Sequence, residues 1–127
     1  MSNDLNFYIN GEWVKSESNE TIDVINPANE EVIGQVTAGT KGDIDKAVSA
    51  ACDAFSSYQL TTKTQRIELL KNVITEYEAR YDDFVQTISK EMGSPIWLSE
   101  AAQAKTGIKN IQETLEALES YEFERPE

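Results

Sequence analysis

The dipeptide Asn10-Gly11 narrows what this chain can fold into more than any other feature. It stands between two short runs, Phe7 to Ile9 and Glu12 to Val14, whose aromatic and β-branched residues suit a pleated strand. A two-residue hairpin turn of type I′ needs positive φ at both central positions, and Asn-Gly accepts that best. A second pair of runs, Thr21 to Ile25 and Glu31 to Val36, is joined through Asn26-Pro27-Ala28-Asn29-Glu30. There Pro27 presets φ and both asparagines suit turn positions. The chain is therefore expected to open with two consecutive β-hairpins over residues 1–38.

The apolar period then changes from two to helical. Ile44, Ala47, Val48, Ala51, Cys52 and Phe55 lie on one helical face, with Asp43 and Asp45 in the first turn and a start at Gly42 or Asp43. The Gly39-Thr40-Lys41-Gly42 turn is the nearest thing to a boundary. Residues 56–60 break the pattern, and Thr62-x-x-Gln65 has the form of a capping box. A second stripe runs through Ile67, Leu70, Ile74, Tyr77, Tyr81, Phe84 and Ile88. It is long for one helix, and a break near Ala79 to Asp82 would divide it. Gly93 suits a C′ position, Ser94 an N-cap and Pro95 the first residue of the next helix. A third stripe follows at Trp97, Ala101, Ala104, Ile108, Ile111, Leu115 and Leu118. The expected helical part covers residues 42–122. All three stripes read as core, with the Tyr77 and Tyr81 hydroxyls near the surface. A stand-alone antiparallel helical bundle with a hairpin cap is an alternative fold.

Composition excludes several function classes. The net charge of −12 speaks against nucleic acid and anionic membrane surfaces as partners, because both need a basic face. No apolar run is long enough to span a bilayer, and the start MSNDLNFYIN lacks the basic and apolar regions of a secretory signal. The single cysteine fits a reducing, cytoplasmic setting.

The catalytic inventory is sparse. With no histidine, His-based triads and His-ligated metal sites are out of reach. Cys52 sits on an apolar helix face with no His and no nearby sequence cue to activate its thiol, and reads as a small core residue. The stretch from Gly34 to Lys41, GQVTAGTK, has Thr40 and Lys41 in the reverse of the Walker order, and no G-x-G-x-x-G occurs. The paired acids Glu30-Glu31, Asp82-Asp83, Glu113 with Glu116, and Glu122 with Glu124 fall on polar faces or loops, where solvated charge is the ordinary outcome. General acid–base chemistry needs carboxylates in a shared, partly desolvated cleft. Glu91, in Lys90-Glu91-Met92-Gly93-Ser94-Pro95, is the one acid that stands apart.

Ile9-Asn10-Gly11-Glu12-Trp13, followed by Val24-Ile25-Asn26-Pro27-Ala28 and Glu31-Val32-Ile33, resembles the amino-terminal end of the aldehyde dehydrogenase superfamily. The resemblance covers nearly all of this chain but only the opening portion of a typical member. It implies an α/β fold: the first part of a Rossmann-like cofactor domain, with two β-hairpins followed by three or four amphipathic helices. The family oxidises an aldehyde to a carboxylic acid with NAD or NADP. A cysteine thiolate forms a thiohemiacetal, hydride passes to the nicotinamide, and a glutamate activates the water that hydrolyses the thioester. The family nucleophile lies in a different, later motif, so Cys52 does not inherit its role.

The Glu91 segment resembles the family's acid-x-Gly-Lys-Pro turn, with Ser94 where Lys is usual. By that resemblance Glu91 would offer a carboxylate, and Val24 and Ile25 backbone carbonyls, to a monovalent structural cation. The competing reading is a helix-end acid facing water. The resemblance further implies a scaffold segment without dehydrogenase activity of its own. Its partners would be the remainder of its own chain within a homodimer or homotetramer. Tyr121-Glu122-Phe123 reads as a strand or extended connection, and Arg125-Pro126-Glu127 lacks a capping glycine, as a continuing chain would. The rival from another class is a stand-alone acidic α+β interaction module without enzymatic activity, whose stripes would have to close on each other.

Overall fold

The computed structural model describes residues 3–124. It contains β1 (Asn6–Ile9), β2 (Glu12–Lys15), β3 (Thr21–Asn26), β4 (Glu31–Thr37), α1 (Lys41–Tyr58), α2 (Lys63–Ala79), α3 (Tyr81–Met92), a single turn α4 (Ile96–Leu98), a π-helical turn (Ser99–Gln103) and α5 (Ala104–Ser120). Two antiparallel hairpins followed by helices is the architecture the turn signals and apolar stripes predict. The chain divides into two compact units, Met1–Leu60 and Thr61–Glu127.

In the first unit, β1 pairs with β2 and β3 with β4 as separate two-stranded sheets. Asn10 and Gly11 take φ of 54° and 81°, the left-handed values a type I′ turn requires. The register puts Tyr8 opposite Trp13, and their rings meet at 5.2 Å. In the second hairpin, the Asn26 side-chain carbonyl accepts from the Ala28 N–H at 2.9 Å, and the Asn26 main-chain carbonyl accepts from the Glu30 N–H at 2.8 Å. These bonds close the turn, and Glu30 takes φ 61° to let the chain enter β4. Val24 faces Gly34 while Ile25 faces Val32, so Ile33 is an extra residue in the ladder, a β-bulge.

Helix α1 begins at Lys41, one residue before Gly42 and two before Asp43. Thr40 is the N-cap, and Thr40 and Asp43 form a reciprocal capping box. Asp43 does more than cap. Its carboxylate accepts from the Ser16 hydroxyl at 2.6 Å and the Glu17 N–H at 3.2 Å, tying the segment after β2 to the helix start. The division of the chain accordingly falls after Leu60 and not at the Gly39–Gly42 turn, because α1 is fastened to the first hairpin.

In the second unit, Thr62 and Gln65 form the expected capping box of α2. The second stripe is broken at Arg80, as its length suggests, and the two parts are α2 and α3. Gly93 ends α3 in the left-handed conformation at φ 63°. Ser94 does not cap the next helix. Pro95 holds the cap position, and the Ser94 hydroxyl instead meets Ser99 and Gln103. The third stripe is interrupted by the π turn, which leaves Trp97 exposed and starts α5 at the fully buried Ala104. α5 packs on α2 and α3. Lys63 finishes α5 by donating from Nζ to the carbonyls of Glu119 (2.9 Å) and Tyr121 (3.0 Å). Tyr121 is extended, but Tyr121–Phe123 form no strand; the Arg125–Glu127 reading lies outside the described residues.

Burial corrects the expectation that every stripe is core. Among the described residues only Val85 and Ala104 are buried apolar side chains. Ile67, Leu70, Ile74, Ile88, Ile108, Ile111, Leu115 and Leu118 are half-buried between α2, α3 and α5. The α1 stripe is open: Ile44 is 61%, Val48 55% and Phe55 58% exposed. The periodicity identified the face correctly, but among the described residues Ile44, Val48 and Phe55 on it stay exposed.

Candidate functional site

The residues singled out for a cation fall on three described positions. Val24 and Ile25 are consecutive in β3, on either side of the register shift that Ile33 creates. A bulge disrupts the regular ladder at that point and re-aims the local backbone. Glu91 is exposed in the last turn of α3, ahead of the left-handed Gly93. Among the described residues no group of three or more His, Cys, Asp or Glu side chains could hold a metal ion. Val24 and Ile25 would contribute main-chain oxygens, a donor type outside such groups.

The remaining acids behave as their spacing suggests. Glu30, Glu31, Asp82, Asp83, Glu113, Glu116, Glu122 and Glu124 are all exposed, and none shares a desolvated cleft. Cys52 is exposed as well, which corrects its reading as a core residue; the α1 face on which it lies is uncovered. Gly34 to Lys41 is no phosphate loop, since Gly34 lies in β4 and Thr40 is occupied with capping α1.

Two features escaped the sequence reading. The first is Asp43, a buried acid at the start of α1. The Ser16 hydroxyl, then the Thr40 N–H, with the Thr40 hydroxyl and Glu17 N–H, outweigh burial and lower its pKa to about 2. The Thr40-x-x-Asp43 spacing was the available signal. The second is a polar knot at the π turn. The hydroxyl of the fully buried Ser99 lies 2.6 Å from that of Ser94, and both reach Gln103 Oε1, at 3.0 and 2.9 Å. The Ser89 hydroxyl donates to the Ser94 carbonyl at 2.7 Å, locking the α3–α4 connection. Nearby, Tyr77 donates to the Ala104 carbonyl at 2.8 Å and Tyr81 to the Glu100 carbonyl at 2.5 Å. Burial and then the neighbouring Tyr81 push the Tyr77 pKa up, which keeps its hydroxyl a donor. These groups are spent on one another and on nearby backbone. The surfaces left over are apolar: the α1 stripe, and the β3–β4 hairpin with Ile22, Ile25, Val32, Ile33 and Val36 exposed.

What such a surface belongs to emerges from comparison with known proteins. The aldehyde dehydrogenase family model matches residues 13–126. The chain belongs to the aldehyde dehydrogenase family. A Staphylococcus aureus (strain USA300) protein assigned to the aldehyde dehydrogenases is 51% identical over 117 residues, which is 92% of this chain and 25% of that protein. The aldehyde dehydrogenase of Bartonella henselae superposes with a TM-score of 0.93 at 35% identity, covering 97% of this chain and 26% of that one. Aldehyde dehydrogenase C of Pseudomonas syringae, a mutant complexed with NAD+ and octanal, superposes with a TM-score of 0.95 at 32% identity, over 98% and 26% of the two chains. The chain spans about a quarter of the length of the family members it matches. The two antiparallel hairpins and the helices that follow them thus match the amino-terminal part of the aldehyde dehydrogenase fold. Among the described residues no helix is long and apolar enough to cross a membrane.

Proposed function

We propose that residues 1–127 are the amino-terminal portion of the cofactor-binding domain of an NAD(P)-dependent aldehyde dehydrogenase, a cytoplasmic homodimer or homotetramer that oxidises an aldehyde to a carboxylic acid. This portion is scaffold. It supplies helices that cover a nucleotide-binding core, and the thiolate nucleophile and water-activating glutamate come from elsewhere in the protein. The observation that carries the reading is the open α1 face: in a chain that fits about a quarter of an enzyme holding NAD+ and octanal, Ile44, Val48 and Phe55 are exposed. Exposed apolar side chains on one face mark a surface built to be covered. The same exposure disfavours the stand-alone interaction module, whose stripes would close on each other. In the assembled enzyme Val24 and Ile25 carbonyls and the Glu91 carboxylate bind a monovalent structural cation, a hard-oxygen donor set suited to an alkali ion.

The test is a fusion of residues 1–127 to the part of the Staphylococcus aureus relative that follows its matching segment. Aldehyde-dependent reduction of NAD+ or NADP+ is expected from the fusion and none from purified 1–127. Activity in the isolated segment, or a soluble, folded fusion that is inactive while the intact relative turns over, would overturn the proposal.

A further inference from the structure

The geometry points to Asn10-Gly11 as a site of spontaneous covalent modification, deamidation through a succinimide, that unlocks the first hairpin. It is the one Asn-Gly in the sequence; the other asparagines precede Asp4, Phe7, Glu20, Pro27, Glu30, Val73 and Ile111. In the reaction the Gly11 nitrogen attacks Asn10 Cγ. A C–N bond forms, the Cγ–Nδ2 bond breaks, and the amide proton leaves with ammonia. Water then opens the ring at either carbonyl, returning a hydrogen to the Gly11 nitrogen and leaving aspartate or isoaspartate. No electrons are transferred. A side chain on the following residue obstructs the attack. Gly11 has none, and nothing lies within 4 Å of where its Cβ would be. Asn10 is exposed, and the Gly11 N–H donates to no other main-chain group among the described residues. The turn also borders an open cleft of about 380 Å³, shared with Ala47, Ala50, Ala51 and Ala54 of α1, so solvent reaches it.

The consequence follows from the turn. A two-residue I′ loop fixes the register of both strands. Isoaspartate adds a main-chain carbon to that loop, so Ile9 no longer faces Glu12 and Tyr8 no longer faces Trp13. A two-stranded sheet is marginal on its own, so loss of the turn releases it.

The experiment incubates the whole chain at 37 °C at pH 6 and pH 8, alongside chain held in urea, and maps the tryptic peptide ending at Lys15 by mass. A gain of about one mass unit on that peptide, an isoaspartyl-specific methyl label on it, and faster appearance at pH 8 are expected. Loss of the modification in both Gly11→Ala and Asn10→Gln is expected; the second variant keeps a side-chain amide and does not depend on the strained Gly11 position. Absence of the gain in native chain that gains it in urea would overturn the proposal, as would a gain that persists in Asn10→Gln.

Discussion

Replacing Gly107 with alanine should destabilise the α2–α5 pair by about 1 kcal/mol, the opposite of what helix propensity dictates. Inside a helix alanine is favoured over glycine by about 1 kcal/mol. At position 107, however, the added Cβ would stand 2.5 Å from Tyr77 Oη and 3.1 Å from its Cζ. The ring cannot step aside freely. It stacks on Phe84 at 4.2 Å with an interplanar angle of 11°, and its hydroxyl donates to the Ala104 carbonyl at 2.8 Å. Giving up the hydrogen bond costs about 0.5–1.5 kcal/mol. Loosening the aromatic pair costs a further ~0.5–1.5 kcal/mol. Together they exceed the propensity gain. In a Tyr77→Phe background the closest atom and the hydrogen bond are both gone, so Gly107→Ala should turn neutral or stabilising, a coupling of about 1 kcal/mol or more. Urea unfolding followed by far-ultraviolet circular dichroism, on the segment and on the fusion, reads both values. Gly107→Ala that stabilises the parent chain, or that costs the same in both backgrounds, refutes the packing argument.

Phe55→Ala should change the stability of the isolated segment by no more than about 0.5 kcal/mol, as at an exposed site. In the fusion the same change should cost about 3–5 kcal/mol, the range for a buried Phe, and equal costs would show that the α1 face stays open. Asp43 has a folded pKa of about 2, below its ordinary 3.8. Its contribution is therefore present above the ordinary value and lost as pH falls through the folded one, so exchange protection of the Glu17 amide should fade between these limits and be absent in Asp43→Asn. Glu91→Gln in the fusion should abolish any rise in melting temperature on adding potassium or sodium chloride relative to choline chloride. A rise of equal size in both proteins would remove Glu91 from the cation site.

Much of the fold was legible in sequence because it is set by local chemistry. Asn10-Gly11 leaves few options besides a tight hairpin turn, Thr62-x-x-Gln65 marks a helix start, and Gly93 a helix end. The long second stripe announced its own break. The π turn was not legible: Ala101 and Ala104 are spaced in sequence as in an ordinary helix, and what distinguishes the turn is the Ala104 N–H donating to the Ser99 carbonyl five residues back. Asp43 was read as one more first-turn acid, since its Ser16 and Glu17 partners lie 27 and 26 residues away. By itself, then, the sequence determined the order and type of elements, the family resemblance, and which helix faces are apolar. Only the tertiary structure decided which of those faces are covered. Burial depends on what stands opposite a face, and among the described residues Ile44, Val48 and Phe55 of α1 are left exposed.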